Sequence, residues 1–133
     1  MKAPRDEIWF RKIYVDLLKD QHITTIFRPG ARACNTKKGF CSGETLKIKV
    51  LDKVGADWAD LSGETLPDFE MLVQVVDTKI CTIGSLISDD FVGSSPDVFN
   101  IESLTYHLGA IYNLTPSEVN NDTVITKTIF KYL

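Results

Sequence analysis

The sequence predicts an α+β fold: about five strands in a small curved sheet or barrel, with flanking helices. Three observations carry the prediction. Five segments are rich in β-branched or alternating apolar residues, and they are spread from one end of the chain to the other. Two further segments place apolar residues at steps of three and four, the spacing of a helix face. The two kinds of segment do not alternate regularly, which sets aside a doubly wound parallel sheet. The 133 residues form one expected domain, 1–133, since no internal repeat or Pro-, Gly- or Ser-rich linker divides them.

In chain order, residues 7–10 read as a short opening strand. Over 11–19 the residues Ile13, Leu17 and Leu18, with Tyr14 beside them, recur at helical spacing. Residues 22–28 (HITTIFR) form the next strand, stopped by Pro29-Gly30 because proline cannot donate to a following ladder. Residues 31–44 are a long loop punctuated by Gly39 and Gly43. The alternation of TLKIKV predicts a half-buried strand over 45–50, and 52–67 reads as irregular. Residues 69–76 (FEMLVQVV) are the most apolar strand, with room to run on towards Ile80. Asn100 caps a helix whose inward stripe is Ile101, Leu104, Leu108 and Ile111. Thr115-Pro116-Ser117-Glu118 has capping-box spacing for one short turn, and 123–132 is the closing strand.

Composition narrows the class. Hydrophobic residues make up 44% and charged residues 25%, ordinary for a globular chain. No apolar run approaches the roughly 20 residues that cross a bilayer. The charged opening Met1-Lys2-Ala3-Pro4-Arg5-Asp6-Glu7 leads into no long apolar stretch, so neither a secretory signal nor a membrane partner is expected. Cys34, Cys41 and Cys81 cannot all pair within one chain, and so sparse a set fits a reducing compartment; the expected location is the cytoplasm. The net charge of −3 conceals an asymmetry. Residues 1–50 carry eleven Lys or Arg against five Asp or Glu, and residues 51–133 carry four against thirteen. One anion-facing surface on an otherwise acidic protein would give that pattern, and so would chance fluctuation along a chain that folds back on itself.

The ordered segments resemble the ASCH branch of the PUA-like barrels. Leu17-Leu18-Lys19-Asp20-Gln21-His22 leading into Thr24-Thr25-Ile26-Phe27-Arg28 resembles that family's first helix, turn and Thr-Ile-Arg strand. Gly43-Glu44-Thr45-Leu46-Lys47-Ile48 resembles its Gly-Asp turn and following strand. Asp97 through Tyr112 resembles its late helix, and 124–130 its closing strand; the matches span about 115 residues in order. The resemblance implies a PUA-like pseudo-barrel with a cleft beside the Thr-Ile-Arg strand, in a family commonly proposed to bind RNA. It also implies an alternative. A small bacterial subgroup hydrolyses N4-acylated cytidines with a Lys, a Thr three residues later, and a Glu ahead of the late helix. Those positions fall here on His22, Thr25 and Asp97, so histidine and aspartate stand where that subgroup has lysine and glutamate. Arg28 follows Thr25 by three residues rather than two. Strand alternation sets Thr24 and Arg28 on one face and Thr25 on the other unless a bulge intervenes, which leaves open which threonine faces the cleft.

The candidate ligand-binding residues follow from chemistry at these positions. Arg28, Arg32, Lys37 and Lys38 carry no acid between them, and Gly30 and Gly39 allow close backbone approach, the means of neutralising phosphate. Thr24 or Thr25 offers a nearby hydroxyl. Trp9, Trp58, Phe40 and Tyr106 are the aromatic platforms for stacking a base; Phe40, beside the two lysines, is the best of them, whereas Trp9 and Tyr106 are expected in the core. In the hydrolytic alternative His22 is the general base, Thr25 the nucleophile and Asp97 the orienting or substrate-holding acid. Cys34 and Cys41 with His22 or His107 have poor spacing for zinc, so no metal or other cofactor is expected. The expected partner is RNA or a nucleotide; the sequence names no protein partner.

Overall fold

The computed structural model describes residues 6–34, 36, 37, 39–52 and 65–133. Lys38, Trp58 and most of the irregular stretch 52–67 lie outside the described residues. The elements are β1 (Glu7–Arg11), a 3₁₀ turn at Lys12–Tyr14, α1 (Val15–Lys19), β2 (Thr25–Pro29), β3 (Thr45–Leu51), β4 (Met71–Thr82), α2 (Ile101–Tyr112) and β5 (Val124–Tyr132). The five strands form one mixed sheet in the order β1-β3-β4-β5-β2, with β1 parallel to β3 and every other pair antiparallel.

The alternation read in the sequence sets the faces. In β3, Leu46, Ile48 and Val50 are fully buried while Thr45 and Lys47 are exposed. Each buried side chain of that size contributes roughly 1.5–3 kcal/mol. They join Ile8, Phe10, Ile26, Val73, Val75 and Phe130 in one core, which α1 closes with Leu18. The second core lies against α2: Leu104 and Leu108 pack on Phe27, Ile83, Phe91 and Ile125. The Asn100 cap forms as expected. Its side chain accepts from the Ser103 amide at 2.8 Å, and the Ser103 hydroxyl accepts from the Asn100 amide at 3.0 Å.

Four expectations change. The strand expected over 22–28 starts only at Thr25 and includes Pro29. The strand expected over 69–76 begins at Met71 and runs to Thr82, with an irregularity between Val75 and Asp77 where the register against β5 shifts. Arg11, expected to open the helix, instead ends β1, and helical geometry begins only at Lys12. Tyr106 is 80% exposed rather than in the core, because it sits about 200° around α2 from Leu104, on the side away from the stripe.

Two features place the site. The outer strands of the sheet are β1 and β2, yet the sheet curls until they face each other. Phe10 of β1 and Ile26 of β2 share one core, and the Arg28 guanidinium lies 5.9 Å from the centre of the Phe10 ring. The other feature is the segment 86–97, which crosses β2 and is tied down twice. The Gly93 carbonyl accepts from the amides of Thr24 and Thr25 at 2.8 and 3.1 Å, while the Thr25 hydroxyl donates to the Val92 carbonyl at 2.9 Å. Asp90 receives the Ile87 amide at 2.8 Å and the Lys127 ammonium at 2.9 Å, with Asp90 and Lys127 both buried.

Candidate functional site

A cleft of about 60 Å³ opens between β1, β2 and α2. It runs along an edge of the sheet rather than over one face. Residues from both faces of β2 therefore line it, Thr25 and Phe27 from one and Ile26 and Arg28 from the other. The backbone contributes as well. The Phe130 amide bonds to the Thr24 carbonyl, so antiparallel alternation pairs Thr24, Ile26 and Arg28 with β5 and turns the Phe27 amide towards the cleft.

Asp97 is the hub at the end of the cleft beside Tyr14. One carboxylate oxygen accepts from the Ser95 hydroxyl at 2.5 Å. The other accepts from the Tyr14 hydroxyl at 2.5 Å and lies 3.6 Å from His107 Nδ1. The Arg11 guanidinium donates to the Tyr14 hydroxyl at 2.9 Å and stands 5.3 Å above that ring. Arg28 donates to the Phe27 carbonyl at 3.3 Å. At the other end Arg32 is held by its own loop, its Nε donating to the Pro29 carbonyl at 3.1 Å, and its guanidinium is hydrogen-bonded with Tyr112.

Proton affinities record these neighbours. Burial, then the Asp97 carboxylate, pushes the Tyr14 hydroxyl up to about 12. Burial alone would raise the Asp97 carboxyl, but the hydroxyls of Ser95 and Tyr14, with the charges of His107 and Arg11, bring it below its ordinary value. Burial lowers the His107 imidazole; Asp97 opposes that, and Arg11 and Arg28 reinforce it. Burial likewise lowers Arg32 from its ordinary value, against the pull of Tyr112.

These shifts set a pH profile. An imidazole lowered in the folded state is protonated first in the unfolded chain, so stability falls as the pH drops below about 6.5 towards the folded value. Asp97, also lowered, adds a second loss at more acid pH, as the pH drops below the ordinary carboxyl value and through its own. His107→Gln should flatten the first leg and keep the second. Urea midpoints at intervals from pH 7.5 to 2 measure both, and an unchanged slope between pH 7 and 5 would refute the assignment.

The sequence-predicted residues distribute unevenly. Thr25 and Arg28 line the cleft; Arg32 meets it through Tyr112; Asp97 reaches it through Tyr14 and His107. Arg32 and Lys37 line an adjoining depression with Pro29, Gly30, Ala31 and Thr36. Lys38 is outside the described residues. Phe40 packs against the first core through a half-buried ring. Thr24 sits at the Gly93 crossing, its hydroxyl close to that glycine. His22 is exposed and is not among the residues lining the cleft. No hydrogen bond among the described residues links His22, Thr25 and Asp97 to one another, and the histidine beside Asp97 is His107. Residues that sequence reasoning did not assign to the cleft are Arg11, Tyr14, His107 and Tyr112. For His107 a signal existed: it borders the apolar stripe at Leu104, Leu108 and Ile111 while being polar.

Cys34 and Cys41 are joined in a disulfide across the basic loop, and Cys81 is a half-buried thiol in β4. The sequence-based expectation of a reducing compartment did not include that pair. No group of three or more His, Cys, Asp or Glu among the described residues is placed to hold a metal ion, and no described helix is long and apolar enough to cross a membrane.

Compared with protein-family models and with curated proteins, the sequence matches none. Solved structures do match. The protein EF3133 from Enterococcus faecalis V583, of the DUF984 family, superposes with a TM-score of 0.62 at 9% identity, over 100% of this chain and 82% of that one. An ASCH domain from Lactobacillus crispatus JV V101 gives a TM-score of 0.50 at 11% identity, over 91% of this chain and 70% of that one. Identities this low speak to architecture alone, and the architecture is plain: this chain has a small α+β fold like that of the ASCH domain structure.

Proposed function

We propose that the cleft binds a nucleotide or a short stretch of RNA. The observation that carries the reading is the convergence of two arginines, Arg11 and Arg28, on one concave site, with Arg32 beside it against Tyr112 and Asp97 at its end held by two hydroxyls. Guanidinium groups match phosphate geometry, and the rings of Phe10, Tyr14 and Tyr112 offer flat apolar surface for a base or sugar. Lys37, exposed in the adjoining depression beside Arg32, extends the cationic track. Because the whole chain is acidic at −3, a short or structured ligand fits better than a long duplex. The cytoplasm is the proposed location. A reducing compartment would hold Cys34 and Cys41 as thiols, so binding is to be measured with and without reductant.

The test is a titration of short single-stranded RNAs and nucleoside monophosphates at several salt concentrations. Affinity for RNA should fall with log salt at a slope of about 0.7 per phosphate contacted. Arg28→Ala should weaken binding by about tenfold or more, the cost of one hydrogen bond to a charged group. Arg32→Ala and Lys37→Ala should each reduce the salt slope. Binding indifferent to salt and to all three substitutions would overturn the reading.

A further inference from the structure

We propose that the end of the cleft where Arg11, Arg28 and His107 converge beside Tyr14 seats a doubly charged tetrahedral anion, either the terminal phosphate of a nucleotide or the free ion. The proposal deepens the cleft reading and rests on it for the identity of the larger ligand. It goes beyond that reading in assigning a seat to residues of β1 and α2, away from the basic loop.

Three observations support it. Arg11 has a donor to spare: its Nη2 is used by Tyr14, while its Nε is buried with no hydrogen-bond partner in the protein. A buried donor left unmet is costly, and a bound oxyanion would satisfy it. The local positive charge is also only partly compensated, Asp97 being the carboxylate that acts on Arg11 and His107. Asp97 spends one oxygen on Ser95 and the other on Tyr14 and His107, and among the described residues neither Arg11 nor Arg28 forms an ion pair with a carboxylate. The third observation is their reach. Arg11 from β1 and Arg28 from β2 both act on the His107 imidazole of α2, so three groups able to carry positive charge share one small concave space.

Proton uptake follows from the arrangement. The groups facing His107 are Asp97 ahead of α2, Arg11 and Tyr14 from β1 and its turn, and Arg28 from β2. Without an anion, burial and the two arginines hold the imidazole in its neutral form against Asp97. A dianion bound between the arginines cancels their repulsion and favours imidazolium. Binding therefore takes up a proton, and affinity rises as the pH falls, by up to about tenfold per pH unit between the imidazole's free and bound values.

Inorganic sulfate is the probe, because it is a dianion throughout this range and does not itself titrate. The chain has two histidines, so the ring signals of His107 can be followed by NMR with exposed His22 as the internal reference. Saturating sulfate should raise the His107 pKa and leave His22 in place. Calorimetry at pH 6 and 8 should show tighter binding at pH 6, and Arg11→Gln should weaken it by about tenfold or more. Competition then separates the sources. Sulfate that displaces a nucleoside 5′-monophosphate, with the parent nucleoside binding more weakly, supports the seat as a nucleotide's phosphate site. Sulfate binding with no nucleotide binding supports the seat for the free ion and overturns the nucleotide reading of the cleft. Nucleotide or RNA binding that ignores sulfate and leaves the His107 titration unmoved overturns the seat and spares the cleft reading. Absence of every binding event overturns both. The His107 titration uses the unaltered chain, so the test survives a variant that fails to fold.

Discussion

Lys127→Met should lower stability by about 3 kcal/mol, more than any exposed charge in the molecule could account for. Lys127 sits in β5, between β4 and β2, and its ammonium reaches Asp90 at 2.9 Å with the two side chains 10% and 13% exposed. The Asp90 carboxyl is lowered first by the Ile87 amide and then by Lys127, so both donors favour its charged form. Removing the lysine leaves a buried carboxylate with one backbone donor, the arrangement in which breaking a pair costs more than the pair itself contributes. The companion variant Lys127→Met/Asp90→Asn should recover most of the loss, since the uncompensated charge is gone. Urea unfolding of both measures the difference. A loss below about 1 kcal/mol for Lys127→Met would mean that the pair is open to water.

Gly93→Ala should cost about 2–4 kcal/mol and weaken the cleft as well. Gly93 has φ of +82°, a region an L side chain enters at a penalty of 1–2 kcal/mol. A Cβ there would overlap the Thr24 hydroxyl and stand 3.2 Å from that of Thr25. Relief requires moving the segment off β2, which breaks the hydrogen bonds at Val92 and Gly93 and shifts Ser95 and Asp97 with them. Both stability and nucleotide affinity should fall. A variant that unfolds earlier yet binds as before would separate the crossing from the site. Thr25 has a testable structural role in the same terms, as the hydroxyl that satisfies the Val92 carbonyl.

What was legible in the sequence was whatever repeats with the period of an element. Leu46, Ile48 and Val50 announced their face at intervals of two, and Leu104, Leu108 and Ile111 announced theirs at intervals of three and four. Asn100 announced its cap through a short-range hydrogen-bonding pattern. Strand ends were less legible, because the long β4 continues through Asp77, Thr78 and Lys79, where polarity alone argues for a loop. The cleft was legible only on the β2 side. Arg28 could be assigned because it belongs to a strand with a recognisable neighbourhood. Arg11 could not, since its partners Tyr14 and His107 arrive from different elements, the second almost a hundred residues away. Periodicity says which side of an element is buried; it does not say which two edges of a curled sheet will meet. His22 shows the converse, a residue well placed by local spacing that the turn after α1 leaves at the surface.

The strand order also governs how the protein comes into being. β2 is an edge strand whose ladder partner is β5, and the register joins Thr25 to Ile129, so one wall of the cleft pairs with chain made more than a hundred residues later. On a ribosome adding roughly 5–20 residues per second, that wall waits on the order of ten seconds for its partner. β1 and β3 can pair much sooner, Glu7 with Lys47. Assembly is thus ordered in time. The half of the sheet that holds Arg11 can condense while the chain is still being made, and the half that holds Arg28 zips shut last. Until β5 arrives β2, apolar on both faces through Ile26 and Phe27, has no ladder to rest on, which makes this strand a stretch of nascent chain in need of shielding.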